Sequence, residues 1–275
     1  MKTLSDNMTN VEQETYDNIY DLLQGNKKIV AFVGSSKSGT SFLLNTTAKL
    51  LSSKGINVAI LDATKNKSSY YIYTKSQDGL RKIAWKSIEK LSQGIANGIK
   101  ADENLTVYTG LPNEKEFLEK VESVLRTLIK NHTVILIDCD YDTPIDYFKY
   151  AQEIYLVQSM DILAIQPFTE ALSKIEEKGL IEERKFRIII NKFLKIDGVS
   201  EKEIIGGMAF YNEPAMSYMK QLFNKNTIRY MVIPFDEDIC TRYIKGVSQC
   251  EISLNGYSNE FLQILGVLAD NIYLK

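Results

Sequence analysis

Short apolar runs alternate along the chain with longer stretches in which apolar residues recur every three or four positions. The runs are rich in Val and Ile and predict strands at 28–34, 56–62, 104–109, 133–138, 152–157, 185–191 and 228–233. The longer stretches predict helices at 40–54, 78–95, 114–130, 168–179, 212–223 and 257–273. This alternation is typical of a doubly wound sheet. We therefore predict an α/β fold with a mostly parallel sheet of about seven or eight strands flanked by helices.

The predicted sheet has strands that are covered on both faces. The runs 133–138 and 185–191 are apolar without alternation, as in buried parallel strands.

Before the first strand, helical spacing predicts a helix over 8–24, which either packs across the sheet edge or docks a partner. Because no linker, repeat or low-complexity tract interrupts the chain, we expect an N-terminal helical extension at 1–26 and a single domain at 27–275.

The composition excludes several kinds of site. The chain has 275 residues, with 33 Lys and Arg against 35 Asp and Glu, so no overall charge favours nucleic acid or an anionic membrane. Three cysteines without C-x-x-C spacing and a single histidine argue against a zinc site. No apolar run approaches the ~18 residues of a membrane span, and the amino terminus lacks an apolar signal core. We expect a cytoplasmic protein with no nucleic-acid partner and no direct membrane insertion.

The first strand runs into a loop with the spacing of a phosphate-binding loop. The pattern G-x-x-x-x-G-K-[ST] is met at Gly34, Gly39 and Ser41, while Thr40 stands at the lysine position. Such a loop points backbone N–H groups and a helix N-terminus at phosphates. The predicted nucleotide-binding residues in it are Gly34, Ser35, Ser36, Lys37, Ser38, Gly39, Thr40 and Ser41. A hydroxyl-rich turn between strand and helix can also be plain helix capping.

Polar residues end three further predicted strands. Asp62 ends the second strand, Asp138 the fourth and Asn191 the sixth. Because ligands of open α/β sheets bind at the carboxyl ends of strands, we expect these residues to share one crevice with the loop. Ser41, Asp62 and Asp138 would then hold Mg²⁺, directly or through water. Asn191 would read a purine edge, with a mild preference for adenine. Each residue alone can also be a cap of its strand, but together with the loop they favour a nucleotide site.

The sequence resembles the MinD/ParA group of P-loop ATPases over roughly residues 27–270. The family run K-G-x-x-V-x-x-x-D is mirrored in Lys54-Gly55-Ile56-Asn57-Val58-Ala59-Ile60-Leu61-Asp62. The family pattern A-D-E-I-x-L-V is similar to Ala151-Gln152-Glu153-Ile154-Tyr155-Leu156-Val157, followed by Asp161. The family turn I-P-Y/F-D is similar to Ile233-Pro234-Phe235-Asp236. The resemblance implies ATP with Mg²⁺ as ligands and places Pro234 among the nucleotide-binding residues.

Several catalytic residues of the family are replaced in this sequence. Ser35 replaces the early lysine that reaches the partner's nucleotide in a dimer, and Thr40 replaces the standard lysine. The family's D-x-D becomes Asp62 and Thr64, which leaves Asp62 as a weak catalytic candidate and no established catalytic residue. Lys37 either turns towards a phosphate or is a solvated loop charge. Because phosphoryl transfer depends on positioned charge, we expect at most slow ATP hydrolysis.

The loop ending Gly39-Thr40-Ser41 resembles the atypical TadZ/CpaE branch of the family. That resemblance implies a localisation or assembly factor for a Tad (Flp-type) pilus or a related secretion system. It implies pilus or secretion assembly proteins as partners, a homodimer, and recruitment to the membrane or cell pole through those partners.

Three alternatives are open from the sequence. The first is a nucleotide-free pseudo-ATPase scaffold. The second is a capsule-type bacterial tyrosine kinase, which shares the fold, although only Tyr257 and Tyr273 lie near the C-terminus. The third is partitioning of DNA, for which a basic stretch is available at Lys65, Lys67, Lys75, Arg81, Lys82 and Lys86, interrupted by Asp78. A solvated helix face is the simpler interpretation of that stretch. The amphipathic C-terminal helix is expected to close the sheet.

Overall fold

The computed structural model describes residues 19, 21–35, 37–112, 120–161, 179, 182–205 and 226–274. The strands are β1 (Lys28–Gly34), β2 (Val58–Asp62), β3 (Ile99–Asp102), β4 (Leu105–Tyr108), β5 (Val134–Cys139), β6 (Glu153–Gln158), β7 (Phe186–Phe193) and β8 (Arg229–Pro234). They form one sheet in the order β3-β4-β2-β5-β1-β6-β7-β8. The β3–β4 pair is antiparallel and the other pairs are parallel.

Helices cover both faces of this sheet. They are α1 (Thr40–Ser53), α2 (Ser68–Thr74), α3 (Asp78–Ser92), α4 (Val121–Asn131), α5 (Asp146–Tyr150), α6 (Glu201–Ile205), α7 (Glu237–Ser248) and α8 (Asn259–Tyr273), with a 3-10 turn at Glu183–Lys185. Two of them begin at side-chain caps: Asp236 accepts a hydrogen bond from the Ile239 amide of α7, and Ser258 accepts one from the Phe261 amide of α8.

Strand β1 shows why the sheet needs helices on both sides. Ile29, Ala31 and Val33 belong to one core, together with the apolar side of α4. Val30 and Phe32 belong to the other core, together with α1 and α8. The side chains of all five are at most 3% exposed. An uninterrupted apolar strand is thus stable only between two layers of helices.

The position of β1 defines where a ligand can enter. It lies between β5 and β6, and the chain leaves it through α1 to β2 on one side, whereas β6 and β7 lie on the other. Strand order therefore reverses beside the carboxyl end of β1, which is the point where open α/β sheets leave a crevice.

The predicted fold class is confirmed, and the predicted strands are found within two residues of their ends. The sequence missed the edge strand β3 and helices α2, α5, α6 and α7, and it extended the helix at 78–95 beyond its end at Ser92. The helix predicted at 212–223 lies outside the described residues, as do most of 8–24 and 168–179 and the first part of 114–130. The division into 1–26 and 27–275 stays a prediction.

The C-terminal helix α8 packs on α1. Phe261, Leu265, Leu268 and Ile272 are buried on its inner side, as expected for a helix that closes the sheet. Among the residues that the structure describes, no helix is both long and apolar enough to cross a membrane.

At the amino ends of the strands, the single histidine is buried between two polar partners. The Nδ1 atom of His132 lies 2.9 Å from Asn57 Oδ1, and its Nε2 lies 2.8 Å from the Tyr108 hydroxyl. Because the Asn57 oxygen can only accept, Nδ1 carries the proton and Nε2 accepts from Tyr108. Burial, with a smaller contribution from the charge of Lys100, lowers the pKa of His132 to about 4.

Candidate functional site

A cleft of about 620 Å³ opens at the carboxyl edge of the sheet, where the strand order reverses. Its lining brings together most of the residues predicted from separate strand ends: Gly34, Ser35, Lys37, Gly39, Thr40, Ser41, Asp138, Asn191 and Pro234. Of the remaining predicted site residues, Ser38 is buried in the loop, Asp62 is buried at the end of β2, and Ser36 lies outside the described residues.

The loop between β1 and α1 needs both of its glycines. A Cβ on Gly34 would collide with the Thr40 hydroxyl and with the carbonyl oxygen of Val157 on β6. Gly39 has φ +90°, and a Cβ there would collide with the side-chain nitrogen of Asn191. Close neighbours therefore favour glycine at both positions, and the left-handed backbone at Gly39 favours it further.

The missing lysine leaves a hydroxyl that bonds within the loop. The Thr40 side chain is 8% exposed, and its oxygen lies 3.0 Å from the Ser38 hydroxyl. The Ser38 amide donates to the Ser35 carbonyl at 3.1 Å, which closes the first turn of the loop. The Leu43 amide donates to the Gly39 carbonyl at 3.0 Å, where α1 begins. Hydrogen bonds within the loop thus contribute to its closed shape.

Asn191 and Lys192, at the end of β7, bind the loop backbone. The side-chain nitrogen of Asn191 donates to the Ser38 carbonyl at 2.7 Å, and the Lys192 ammonium donates to the Lys37 carbonyl at 2.9 Å. Asn191 is 2% exposed. Its amide nitrogen is therefore engaged by the loop, and its reading of a purine edge stays a prediction.

Asp138 is the unusual carboxylate of the cleft. Its side chain is fully buried, and neither oxygen accepts a hydrogen bond of ordinary geometry from the described residues, although the Ser41 hydroxyl lies near enough to favour the charged form. Burial, followed by the charge of Asp62 on the neighbouring strand, raises the pKa of Asp138 well above its usual range. A cation beside this carboxylate would favour its charged form.

Asp62 differs from Asp138 because its oxygens are already occupied. One oxygen accepts from the Thr64 amide at 3.2 Å and the Thr64 hydroxyl at 2.6 Å. The other accepts from the Ser69 amide at 2.8 Å and the Thr109 hydroxyl at 3.4 Å. Thr64, which stands where the family has a second aspartate, therefore serves to fix Asp62. The role of Asp62 in a metal shell or in catalysis stays a prediction.

The donor set around Ser41 fits a small, hard cation. The Asp138 oxygens and the Ser41 hydroxyl are the type of ligand that Mg²⁺ prefers, and the Asp138 carboxylate lacks other partners among the described residues. The Ser68 hydroxyl donates to Ser41 at 3.3 Å and adds a further oxygen at this point. Ser41 and Asp138 could therefore hold Mg²⁺, whereas Asp62 would first have to release some of its hydrogen bonds.

Helix α7 supplies an apolar wall that the sequence did not predict. Ile239, Cys240 and Tyr243 line the cleft, and the Tyr243 ring packs edge-on against Phe42 with centroids 4.8 Å apart. Burial raises the pKa of the Tyr243 phenol, so this hydroxyl stays neutral. The spacing of Ile239 and Tyr243 after the capping Asp236 was the available signal for this helix.

The basic stretch does not form one surface. Lys67 is 2% exposed, and its ammonium donates to the Asp62 carbonyl at 2.9 Å. Arg81, Lys82 and Lys86 lie on the outer side of α3, together with Trp85, which is 54% exposed. Arg81 pairs with Asp78 at 3.5 Å. The interpretation as a solvated helix face therefore fits the residues on α3, whereas it is wrong for the buried Lys67.

Solved structures share this fold. A ParA family ATPase from Chlorobium tepidum TLS aligns with a TM-score of 0.63 and 16% identity over 88% of this chain and 98% of that one. A protein assigned to plasmid partition in Borrelia burgdorferi B31, bound to AMPPNP, aligns with a TM-score of 0.62 and 17% identity over 90% and 98%. The septum site-determining protein MinD from Pyrococcus horikoshii OT3, complexed with Mg-ADP, aligns with a TM-score of 0.56 and 16% identity over 90% and 96%.

No protein-family model and no curated protein sequence matches the chain. At the identities of the solved structures, the likeness shows the fold. The chain has the α/β fold of the MinD/ParA P-loop ATPases, as the sequence predicted, with an eight-stranded, mostly parallel sheet. The finer resemblance to the TadZ/CpaE branch stays a prediction.

Proposed function

We propose that this protein binds ATP with Mg²⁺ at the cleft beside β1 and hydrolyses it slowly or not at all. The observation that carries the proposal is the pairing of a closed loop of phosphate-loop spacing with the buried carboxylate of Asp138 next to Ser41, which accepts no hydrogen bond of ordinary geometry from the described residues. A loop of this shape offers backbone amides to phosphates, and the carboxylate offers charge to the cation.

The proposed roles follow the positions in the cleft. The backbone of the loop from Gly34 to Thr40 receives the phosphates, and the first turn of α1 adds its positive end. Ser41 and Asp138 hold Mg²⁺. Asn191 and Pro234 border the base, with Phe42 and Tyr243 as apolar surface nearby.

Slow hydrolysis follows from the charges that the loop lacks. Lysines are absent at positions 35 and 40, and Thr64 replaces the carboxylate that would orient water. Catalysis of phosphoryl transfer consists almost entirely of positioning and charge on the transferred phosphate, so their loss costs several powers of ten in rate, as it does when an arginine finger is absent. Bound nucleotide would then act as a switch between conformations or partners, which requires only a difference in affinity.

In the cell, we propose a localisation or assembly role of the kind found among MinD/ParA-like proteins. The loop ending Gly39-Thr40-Ser41 favours a Tad pilus or related secretion system, with its assembly proteins as partners and a homodimer as the active form. A pull-down with ATP and with ADP, followed by mass spectrometry, tests this part. Recovery of pilus or secretion components with one nucleotide state supports it, whereas recovery of chromosomal DNA-binding partners contradicts it.

Titration with nucleotide tests the core of the proposal. Calorimetry with ATP and with ADP, each with and without Mg²⁺, is expected to show binding that Mg²⁺ tightens by about tenfold or more. Ser41→Ala should lose that Mg²⁺ effect, whereas Ser53→Ala at the far end of α1 should keep it. Absence of binding by the wild-type protein at millimolar ATP would refute the proposal.

A nucleotide-free scaffold is the second candidate, and the Ser38–Thr40 hydroxyl pair favours it because the loop is satisfied without a ligand. Under this alternative, Ser41→Ala and Asn191→Ala leave the cellular role unchanged.

The tyrosine kinase alternative is weakened because Tyr257 is 7% exposed and packs edge-on against Phe261, which leaves it a poor phosphate acceptor.

A further inference from the structure

Two consecutive residues of β7 hold two consecutive carbonyl groups of the loop. Asn191 binds the Ser38 carbonyl and Lys192 binds the Lys37 carbonyl, across sequence separations of 153 and 155 residues. Asn191 was predicted to be part of the site from the sequence, but Lys192 has no role in the proposed binding of ATP described so far.

The backbone is arranged to direct Lys192 at the loop. Lys192 has φ +57° and Lys37 has φ +65°, a left-handed conformation that is uncommon for residues other than glycine. The register between β7 and β8 also shifts between Ile190 and Phe193, which includes Lys192. Strained backbone of this kind persists where the surrounding contacts enforce it, and it is frequent at binding sites.

The two bonds set the direction of the loop amides. In a trans peptide, a carbonyl group and the following N–H point in opposite directions. Holding the Ser38 carbonyl on the Asn191 side therefore directs the Gly39 N–H away from Asn191. Holding the Lys37 carbonyl on the Lys192 side keeps the Ser38 N–H on the Ser35 carbonyl, the bond that closes the turn.

We propose that Lys192 is the positioning residue of this loop: it holds the loop in its phosphate-accepting shape in place of the lysine that position 40 lacks. Its ammonium has three N–H donors, of which the Lys37 carbonyl takes one, and it lies at the rim of the cleft. It therefore also places a positive charge beside the loop. The role in phosphate binding rests on the proposed function, whereas the clamp on the loop does not.

Hydrogen exchange of the nucleotide-free protein tests the clamp. Lys192→Met should raise the exchange rate of amides in the peptide covering 34–41 by about tenfold or more, because a charge-assisted bond is lost. Lys195→Met, an exposed lysine in the loop that follows, is the matched control and should leave that peptide unchanged. Equal exchange in the two variants overturns the clamp.

Calorimetry with AMP, ADP and ATP tests the consequence for binding. In Lys192→Met, affinity should fall by about tenfold or more for ATP and progressively less for ADP and AMP, since the loop contacts phosphates. Lys192→Arg should restore ATP affinity to within a few-fold, and Lys195→Met should match the wild type. A general structural defect would instead weaken all three nucleotides equally.

The possible failures are distinct. Wild-type protein that binds no nucleotide refutes the proposed function, and hydrogen exchange then still decides the clamp. Wild-type binding with an unaffected Lys192→Met variant refutes this inference and leaves the proposed function intact.

Discussion

The side-chain nitrogen of Asn191 occupies the space into which a Cβ on residue 39 would project. The same nitrogen donates to the Ser38 carbonyl, one residue earlier. Gly39 is therefore required for two reasons: its φ of +90° favours glycine, and its missing side chain lets β7 approach the loop. The glycine of the motif and the asparagine of a distant strand are parts of one packing arrangement.

Gly39→Ala should consequently disrupt the site more than the fold. The left-handed conformation alone costs about 1–2 kcal/mol for alanine, and the collision with Asn191 must additionally displace the loop or β7. We expect ATP affinity to fall by about tenfold or more. Gly55→Ala is the matched control, because φ there is +81° and nothing lies within 4 Å of the added Cβ.

In urea denaturation, Gly55→Ala should lose a similar 1–2 kcal/mol of the free energy of unfolding, which is about the cost of the left-handed conformation for alanine. It should keep its affinity for ATP. Equal ATP affinity in Gly39→Ala and the wild type would contradict the proposed contact between loop and β7.

Asp138→Asn should leave the nucleotide-free protein at least as stable as the wild type while weakening its response to Mg²⁺. Burial and the charge of Asp62 already disfavour the ionised form of Asp138, so a neutral side chain of the same size is tolerated there. Thermal unfolding at neutral pH measures the first effect. The additional stabilisation of the ATP complex by Mg²⁺ measures the second and should disappear.

Asp78→Asn serves as the control for the lost charge, because that carboxylate is exposed and its ion pair with Arg81 is worth little. A large loss of stability in Asp138→Asn would show that this carboxylate is paired in the folded protein, and the assignment of the Mg²⁺ site would then be wrong.

The free energy of unfolding should decrease as the pH is lowered, because His132 is protonated more readily in the unfolded chain. Its pKa is lowered from 6.5 to about 4 in the folded protein, so the folded state favours the neutral ring. The contribution is fully present above pH 6.5 and is lost as the pH falls towards 4. The difference between the two pKa values corresponds to about 3 kcal/mol at most.

Urea denaturation between pH 7 and about pH 5 measures this effect as the difference between the wild type and His132→Gln, which keeps a polar side chain. The chain has one histidine, and any titration of Asp138, whose pKa is raised, affects both proteins alike. An equal pH dependence of the two proteins in this window would contradict the burial of a neutral ring.

Bound ATP should remain intact. With excess protein and radiolabelled Mg-ATP, chromatography after prolonged incubation is expected to recover ATP, because the cations that stabilise the transferred phosphate are absent at residues 35 and 40. Rapid and stoichiometric formation of ADP would show that another group supplies that charge, with Lys192 and Lys37 as the first residues to substitute.

The elements that were predicted correctly from the sequence are those whose own residues show a clear hydrophobic pattern. β1 was found at its predicted residues because both of its faces are apolar. β3 was missed because it is four residues long and places Lys100 and Asp102 at the sheet edge. α7 was missed because Ile239 is its one buried residue, so polar and charged residues dominate the pattern.

The candidate site was predictable as a set of residue positions but not as a set of contacts. Asn191 was expected at the crevice, yet its partner is a backbone carbonyl 153 residues away, which no spacing in the sequence indicates. Asp62 and Asp138 looked equivalent as strand-ending carboxylates. Only the hydrogen bonds of Thr64 and Ser69 distinguish Asp62, whose oxygens are occupied, from Asp138, whose oxygens accept no ordinary hydrogen bond from the described residues.

Trp85 is the one tryptophan of the chain, and it stands on the outer side of α3 with the Lys86 ammonium 5.8 Å from its ring centroid. It does not line the cleft. Nucleotide therefore cannot quench its fluorescence by contact. A change in tryptophan emission on adding ATP would report a rearrangement that reaches α3, which makes this side chain a built-in reporter of long-range movement.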